Sequence, residues 1–360
     1  MDKIKKILIV NPFGIGDVLF TTPFLSALKK AKSDLSISYW CNERVRPILA
    51  ANPNLDKIFA LSRGDLKKIF IKSKRKGIKA FFNLLGQLRK GKFDLAFDFS
   101  LDHRYSLLLR LLRVKKVIGF DYKNRGRFLT QKVKIDGYEG KHVAEYYLDM
   151  LKFLDIDIPE KPKTELFVSP QDESFAESYL KQHNAQNSNL LIGIAPAGGA
   201  SWAINADYLR WPEEKFTSLI EMLIKVHNAT ILLLGAADEA DICQRIESFA
   251  KGRIINAAGK TDIGQFAALL SKCKLAICND AGPLHTAVAL GIKTISICGP
   301  VDERVYAQFP IDSNNRIVKN DIPCRPCYRK FKMPPCPRNK ECLNGLSVDE
   351  VYSCVKELIQ

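Results

Sequence analysis

The segment Asp280-Ala281-Gly282-Pro283-Leu284-His285 carries the side chains of this chain that are best suited to chemistry. It follows a strand-like apolar run, 275–278, and it opens a short helix of small residues. Proline fits the first turn of a helix because its missing N–H would be unpaired there. The free N–H groups and the dipole of a helix start attract anions, and His285 lies in that first turn. The pattern predicts a phosphate or diphosphate site made of Asp280, Ala281, Gly282 and His285.

A second polar turn, Gly14-Ile15-Gly16-Asp17, follows the first strand-like run, 7–10, and opens another helix. Ligands of open α/β sheets bind at the carboxyl edge of the strands, where such turns lie. The two glycines permit close approach of a substrate. Leu19 stands where a dinucleotide fingerprint has its third glycine, which argues against a dinucleotide site. From the residues alone, the plainer interpretation of Asp17 is a helix cap.

Three further turns follow strand-like runs in the second half of the chain. Pro196-Ala197-Gly198-Gly199-Ala200-Ser201 exposes backbone N–H groups to a phosphate through Gly198 and Gly199. Glu239, after the next run, is placed to meet a ribose or base, and Thr261, after the third, borders the base. Each turn alone reads as an ordinary strand-to-helix connection. Together with the segment 280–285 they put four turns at one sheet edge, which predicts a nucleotide site.

Four motifs, in this order, resemble those of glycosyltransferase family 9, the family of the ADP-heptose lipopolysaccharide heptosyltransferases. The motifs span nearly the whole chain. They are the opening run and Gly-Asp turn at 7–19, Arg210-Trp211-Pro212-Glu213-Glu214-Lys215-Phe216, the segment 280–285 with Gly291 and Gly299-Pro300, and the C-terminal cysteines.

The resemblance implies an α/β fold of the GT-B type, with two doubly wound Rossmann-like domains whose parallel sheets face a central cleft. It implies an inverting transferase that moves a heptose, or a related sugar, from ADP-heptose to a lipopolysaccharide inner-core acceptor. Asp17 matches the proposed catalytic base of the family, which takes the proton of the attacking hydroxyl. The helix N-terminus is expected to keep Asp17 ionised. Gly14 and Gly16 are expected to contact the acceptor.

Two positions depart from the family pattern. Ala281 stands where the family usually has Ser or Thr, and Leu209 stands where it usually has Lys. Arg210, next to Leu209, supplies a cation to the donor site with a different reach. The alternative function is therefore transfer of another nucleotide sugar to a different cell-surface glycan. A sugar-nucleotide epimerase would keep the same fold, but the Gly-Asp turn favours a transferase. We expect no cofactor and no metal, because cationic side chains and helix dipoles can stabilise a leaving diphosphate.

The C-terminal cysteines are Cys324, Cys327, Cys336 and Cys342. Four thiols this close in sequence could hold a zinc ion, since thiolates suit tetrahedral Zn²⁺. The spacings after Cys327 are looser than those of common zinc ribbons. We therefore favour reduced cysteines that pack a loop.

Basic residues cluster in the first half of the chain. Between positions 63 and 92 there are eleven Lys or Arg residues and one acid, Asp65. A charge run is usually a solvated surface. Here it suits an anionic glycolipid acceptor on the anionic inner leaflet of the cytoplasmic membrane. We expect Lys74, Arg75 and Lys76 to contact that acceptor.

Short β-branched runs alternate with amphipathic helical patterns, which predicts βαβ units and parallel sheets. We predict an acceptor-binding domain at 1–163, a nucleotide-sugar domain at 164–346 and a closing helix at 347–360. Strands are predicted at 7–10, 36–40, 57–59, 95–99, 116–119, 190–195, 229–234, 254–256, 275–278 and 294–298. Helices are predicted at 18–30, 44–51, 65–72, 78–90, 103–112, 213–226, 238–249 and 263–272.

The formal net charge of +16 favours a polyanionic partner. An RNA-binding protein is the non-enzymatic alternative, but the aromatic-rich strands of RNA-recognition domains are missing, so we expect no nucleic-acid partner. No apolar run reaches the roughly 20 residues that span a bilayer, and the N-terminus lacks a signal-peptide cleavage site. We expect a cytoplasmic protein that is peripheral at the inner face of the cytoplasmic membrane.

Overall fold

The computed structural model describes residues 3–359, except for the side chains of residues 200–204. The described residues form two compact units. The first contains residues 3–138 and Val143–Pro162, and the second contains Glu139–His142 and residues 163–359. Each unit is built on a six-stranded sheet in which all pairings are parallel. The predicted α/β fold with two doubly wound parallel sheets is confirmed.

The first unit has the strand order β3-β2-β1-β4-β5-β6. Its strands are β1 (Lys6–Val10), β2 (Ser36–Cys41), β3 (Lys57–Ala60), β4 (Leu95–Asp98), β5 (Lys116–Tyr122) and β6 (Gln131–Ile135). Its helices are α1 (Ile15–Leu19), α2 (Thr22–Ala31), α3 (Arg46–Ala50), α4 (Arg63–Lys72), α5 (Lys74–Gly91), α6 (His103–Leu111) and α7 (Val143–Leu148), with 3-10 turns at Glu43–Val45 and Asp149–Leu154.

The second unit has the strand order β12-β11-β10-β7-β8-β9. Its strands are β7 (Leu191–Ala195), β8 (Thr230–Leu233), β9 (Ile254–Asn256), β10 (Leu275–Asn279), β11 (Lys293–Cys298) and β12 (Asn315–Lys319). Its helices are α8 (Pro170–Gln182), α9 (Glu213–His227), α10 (Ala240–Phe249), α11 (Ile263–Ser271), α12 (Gly282–Ala289), α13 (Glu303–Tyr306), α14 (Glu341–Asn344) and α15 (Val348–Ile359), with 3-10 turns at Ala200–Leu209 and Ala237–Glu239.

Both faces of the second sheet are buried, as parallel sheets require. Successive residues of β7 point to opposite faces, so Ile192 packs into one apolar cluster and Leu191 into the other. The first cluster lies under α9, α10 and α15, and the second lies under α8 and α11. The central strands are therefore fixed on both sides, and the turns at their carboxyl ends start from rigid positions.

Strands β6 and β12 were not expected from the sequence. Each is the sixth strand of its sheet and lies at an edge. Their sequences are Gln-Lys-Val-Lys-Ile, which is mostly exposed, and Asn-Arg-Ile-Val-Lys, which is partly buried, and both carry Lys or Arg side chains. Edge strands carry such charges to avoid pairing with other chains, so the apolar run that marks a central strand is missing.

The predicted helix at 18–30 is wrong as one element, because α1 and α2 are separate helices. Pro23 lies in the first turn of α2 and cannot donate an N–H to the turn before it. The Thr21 hydroxyl instead donates to the carbonyl of Val18 at 2.7 Å.

Helices α4 and α5 begin earlier than predicted, because Ser62 and Ser73 cap them with their side-chain oxygens.

The closing helix α15 packs on α9, β11 and β12 within the second unit. Its buried residues Val351, Val355 and Leu358 belong to the same apolar cluster as Ile192 of β7. Ser347 and Glu350 form a capping box in which the Ser347 N–H donates to Glu350 at 2.7 Å and the Glu350 N–H donates to Ser347 at 3.2 Å.

Candidate active site

The second sheet reverses its strand order between β7 and β10, which are hydrogen-bonded neighbours. In open α/β sheets, ligands bind beyond the carboxyl ends of the strands at such a reversal. The turn 196–199 leaves β7 at this point, and the segment 280–285 leaves β10 beside it. Two of the four turns predicted to bind the nucleotide are therefore brought together.

Asn279, the last residue of β10, joins these turns. Its side-chain amide donates to the carbonyls of Pro196 at 2.7 Å and Ala197 at 2.9 Å. Its side-chain oxygen accepts the backbone N–H of Trp211 at 3.0 Å. Asn279 was not predicted as a site residue, although a polar residue at the end of an apolar strand was a usable signal. Asn279 positions the turn 196–199 and the Trp-Pro start of α9 relative to one another.

Gly198 and Gly199 both adopt positive φ values, +92° and +83°, which favour glycine. A Cβ on Gly198 would lie 2.8 Å from the Cβ of Ala281, so the turn packs directly on the segment 280–285. The guanidinium of Arg210 donates to the Gly198 carbonyl through Nε at 3.2 Å and Nη2 at 3.1 Å. Ala200 and Ser201, the last residues of the predicted turn, lie outside the side chains that the structure describes.

Glu239 holds two turns at once. Its Oε1 accepts the Gly198 N–H at 2.8 Å, and its Oε2 accepts the Ala236 N–H at 2.9 Å. The side chain is buried, so these bonds are shielded from water. In this structure Glu239 positions the turns after β7 and β8, and its contact with a ribose or base stays a prediction.

Thr261 lies just before Asp262, which caps α11. The turn that carries it is joined to the turn after β8, because the Gly259 N–H donates to the Gly235 carbonyl at 3.0 Å. Thr261 itself is half buried. All four predicted turns therefore share one sheet edge, and the role of Thr261 at the base stays a prediction.

Asp280 and His285 are buried together at the start of α12, with 3.7 Å between Asp280 Oδ1 and His285 Nε2. Burial raises the pKa of Asp280 to about 7, against the opposing charge of Arg325. Burial, with the neighbouring His142, lowers the pKa of His285 to about 3. The imidazole is therefore neutral near pH 7, and it can offer a hydrogen bond to an anion without carrying a charge.

The start of α12 has no side-chain cap. Ala281 stands at the N-cap position, so its side chain cannot accept the N–H groups of the first turn as Ser or Thr would. The helix has eight residues, and Pro283 lies in its first turn. The helix start therefore keeps the anion-attracting character that the sequence predicted.

The first sheet shows the same reversal, here between β1 and β4. The turn that holds Gly14, Gly16 and Asp17 leaves β1 at this point. Asn11 fixes the turn: its amide donates to the Asp17 carbonyl at 3.1 Å, and its oxygen accepts the Phe13 N–H at 3.2 Å. Asp17 thus occupies the position in this unit where a ligand is expected.

Burial raises the pKa of Asp17 to about 6, although the N–H groups of Gly14 and of Asp17 itself oppose the shift. The helix N-terminus was expected to keep Asp17 ionised, which a pKa of about 6 still permits near pH 7, but the rise in the pKa was not expected from the sequence. The desolvation of the carboxylate outweighs the effect of the helix N-terminus, since α1 is a short helix of five residues. A pKa near 6 suits a general base that works close to neutral pH.

Asp98, the last residue of β4, was not predicted as a site residue. It is buried beside the Asp17 turn at the strand reversal, and its Oδ1 accepts the Ser100 N–H at 3.0 Å. Burial raises the pKa of Asp98 to about 7. An acid at the carboxyl end of a central strand was the available signal.

Lys74, Arg75 and Lys76 form the exposed first turn of α5. Helix α4, which precedes it, leaves β3 at the same carboxyl edge from which the Asp17 turn leaves β1. The three cations lie on the same unit as Asp17, and their contact with an acceptor stays a prediction.

The four C-terminal cysteines line one small cavity together with Tyr208, Pro300 and Met333. Within residues 3–359, no group of three His, Cys, Asp or Glu side chains is arranged to hold a metal ion.

Arg325, which was not predicted as a site residue, anchors the segment that carries these cysteines. Its guanidinium donates to the carbonyl of Val301 at 3.1 Å and to Glu303 at 3.0 Å. The segment thereby lies close enough to the α12 start for Arg325 to act on the pKa of Asp280.

The sequence profile of glycosyltransferase family 9 (heptosyltransferase) matches residues 81–336 of this chain. The chain belongs to this family. Lipooligosaccharide heptosyltransferase 2 of Campylobacter jejuni is 25% identical over 367 residues, which cover 99% of this chain and 98% of that protein.

Two solved structures have the same fold. A glycosyltransferase family 9 protein from Veillonella parvula superposes with a TM-score of 0.84 at 22% identity, covering 98% of this chain and 97% of that one. An E. coli heptosyltransferase, WaaC, with ADP-2-deoxy-2-fluoro heptose superposes with a TM-score of 0.70 at 19% identity, covering 98% and 99% of the two chains. This family 9 protein therefore has the GT-B fold that the resemblance implied.

Proposed function

We propose that this family 9 protein transfers heptose from ADP-heptose to an inner-core lipopolysaccharide acceptor, with inversion at the anomeric carbon. One observation carries the proposal. Each sheet places a fitting group at its strand reversal: a carboxylate with a pKa near 6 in the first unit, and an uncapped helix start with a buried histidine in the second. Transfer from a nucleotide sugar needs both, a base for the acceptor and an anion site for the leaving diphosphate.

Asp17 acts as the base in this proposal. Its carboxylate accepts the proton of the acceptor hydroxyl as the hydroxyl oxygen bonds to the anomeric carbon. The bond from that carbon to the diphosphate oxygen breaks on the opposite face, and ADP leaves with the electron pair. A base is worth about 10²–10⁴-fold in rate when it is within hydrogen-bond reach of the proton.

The second unit stabilises the charge that develops on the leaving ADP. The uncapped start of α12 offers N–H groups and a positive dipole end, and His285 offers a neutral N–H. The turn at Gly198 packs against Ala281 at this helix start and is held in place by Glu239 and Arg210, which bind the N–H and the carbonyl of Gly198, so the predicted contact of the Gly198 N–H with a phosphate is not available in this structure. These groups suffice for the chemistry without a metal ion, so we propose a metal-independent reaction.

The acceptor is proposed to bind the first unit, where cations outnumber acids around α4 and α5. A phosphorylated core glycolipid is a polyanion, and so is the inner leaflet in which its lipid is anchored. We propose that the protein works in the cytoplasm at that leaflet. Within residues 3–359, no helix has both the length and the apolar character that crossing a bilayer requires.

The decisive experiment measures ADP release and a new sugar linkage. Purified protein is mixed with a water-soluble, O-deacylated inner-core acceptor and a panel of ADP-, GDP- and UDP-sugars. We expect turnover with ADP-heptose and none for Asp17→Asn. Turnover with another sugar and not with ADP-heptose would favour the alternative donor that Ala281 and Leu209 left open. No turnover with any donor, together with no affinity for ADP, overturns the proposal.

A further inference from the structure

The helices α4 and α5 form a hairpin that displays large apolar side chains to solvent. Ile71 is 76% exposed, Ile78 is 50% exposed and Phe82 is 64% exposed. Helix α4 has no buried residue, although four of its ten residues are Leu, Ile or Phe. Water-exposed apolar side chains that cluster on one segment mark an interaction surface more often than scattered ones do.

The hairpin is a defined local structure. Ser73 ends α4 and caps α5, and the two helices pack on each other. A Cβ on Gly77 would lie 2.6 Å from the ring of Phe70, so the ring seats against the backbone of α5. Phe70 thereby ties the two helices together, while Ile71, Ile78 and Phe82 are left on the outside.

The exposed apolar residues are surrounded by cations. Ile78 and Phe82 are one helical turn apart on α5, and Arg75, Lys79 and Arg89 are exposed on the same face. Lys67 and Lys68 precede Ile71 by one turn on α4. Asp65 is the single acid of the hairpin, and its carboxylate is held in the N-cap of α4 by the Ser62 N–H at 2.7 Å.

We propose that this hairpin inserts Ile71, Ile78 and Phe82 into the headgroup and acyl boundary of an anionic lipid bilayer. Amphipathic helices with basic flanks and exposed Phe or Ile bind such surfaces in the plane of the membrane. The cations meet the lipid phosphates, and the three apolar side chains leave water. The proposal rests on the proposed function only in that a lipid-anchored acceptor brings the enzyme to a bilayer.

The combination of residues argues for lipid rather than RNA. A nucleic-acid surface needs cations and stacking aromatics, and it gains nothing from exposed isoleucines. Insertion also makes a distinct prediction about salt. Electrostatic attraction weakens as ions screen it, whereas the transfer of apolar side chains from water does not. A bilayer-bound fraction should therefore survive high salt.

The test is flotation of the full-length protein with vesicles of phosphatidylethanolamine and phosphatidylglycerol, at low and high salt, against vesicles of phosphatidylcholine. Ile71→Ser with Phe82→Ser should lower partitioning by about tenfold or more and remove the salt-resistant fraction, because each apolar side chain contributes on that order. The matched control is Phe249→Ser with Ile311→Ser in the second unit, where Phe249 is 71% exposed and Ile311 is 57% exposed. This control should bind vesicles like the unmodified protein.

A second readout reports insertion directly. Phe82→Trp should shift its fluorescence to shorter wavelength when anionic vesicles are added, and Phe249→Trp should not. Equal vesicle binding by the Ile71→Ser, Phe82→Ser protein and the control overturns the proposal. The proposal is also overturned if the protein binds RNA and not vesicles, and if Ile71→Ser with Phe82→Ser leaves that RNA binding unchanged. Turnover of the water-soluble acceptor with ADP-heptose is measured in parallel without vesicles. Its absence, together with no affinity for ADP, refutes heptose transfer, and the vesicle result is judged separately from it.

Discussion

The carboxylate of Glu239 accepts the backbone N–H of Gly198 at 2.8 Å, although 41 residues separate them in sequence. The same carboxylate holds Ala236, so a single buried side chain sets the relative position of two turns at the proposed nucleotide site. The two bonds make Glu239 a positioning residue for these turns, and we propose that it acts on a bound nucleotide through them.

Glu239→Gln should weaken ADP binding by about tenfold, because the amide keeps one acceptor and loses a charge-assisted bond of roughly 1.5–3 kcal/mol. The unfolding temperature should fall as well. Calorimetric titration with ADP measures the first effect, and thermal unfolding measures the second. Glu221→Gln, on the exposed face of α9, is the matched control and should change neither. ADP affinity that is unaltered in Glu239→Gln would contradict the positioning role.

Asp17→Asn should lower kcat by about 10²–10⁴-fold, since the amide cannot accept the acceptor proton. ADP affinity should stay the same, because the nucleotide is proposed to bind the second unit. Steady-state kinetics with the water-soluble acceptor and calorimetry with ADP separate the two effects. Near-normal turnover would show that another group, of which Asp98 is the first to test, serves as the base.

The pKa of Asp17 also predicts a pH profile. Burial raises this pKa to about 6, so the carboxyl becomes protonated as the pH falls through that value and can no longer accept a proton. The rate should therefore decline below about pH 6 and level off above it on the acid limb of the profile. Initial rates of ADP release in buffers of constant ionic strength check this. A limb centred near pH 4 would mean that Asp17 is more hydrated than its burial indicates.

His285→Ala should weaken ADP and ADP-heptose binding by the same factor, about tenfold, because the proposed contact is with the diphosphate that they share. The pKa of His285 is lowered to about 3, so the free imidazole is neutral and the lost affinity should vary little between pH 6 and 8. His285→Gln, which keeps a donor, should recover part of the affinity. A drop in stability with unchanged ADP binding would assign His285 to the core instead.

Lys74→Gln, Arg75→Gln and Lys76→Gln together should raise the KM for the acceptor and flatten its dependence on salt. The KM for the donor should change little. The control replaces three exposed cations of the second unit, Lys181, Lys225 and Lys251, by Gln, which removes the same total charge. If both triple variants behave alike, the net charge of the protein matters and the position of these three cations does not.

The central strands were predictable because parallel strands buried on both faces need unbroken apolar runs, and the central strand β10 (Leu275–Asn279) lies within one residue of its predicted bounds of 275–278. Strands β6 and β12 were not predictable from the sequence, because an edge strand that carries charged side chains needs no unbroken apolar run. Helix caps at Ser62 and Ser73 were present in the sequence, but the basic residues after them hid the helix starts.

Part of the candidate site was also predictable from the sequence, and part was not. Turns and their glycines could be located from local sequence, because strand, turn and helix follow one another along the chain. The hydrogen bonds made by Asn279, Glu239 and Arg325 could not be located from local sequence, because each of these residues contacts residues that are far from it in sequence. The raised pKa of Asp17 was missed for the same reason, because desolvation depends on everything packed around a group.

The identical strand order of the two sheets bears on how such an enzyme can change during evolution. In both sheets, the strand order reverses between the first and fourth strands. The side chains that determine ligand specificity at such a reversal lie in the few short turns after these strands and not in the strands themselves. The turns after β1 and β4 belong to one sheet, and the turns after β7 and β10 belong to the other. A mutation in the first pair of turns therefore changes neither the sequence nor the strand connections of the second pair. New acceptors and new donors can therefore be acquired in separate steps, each without rebuilding a core.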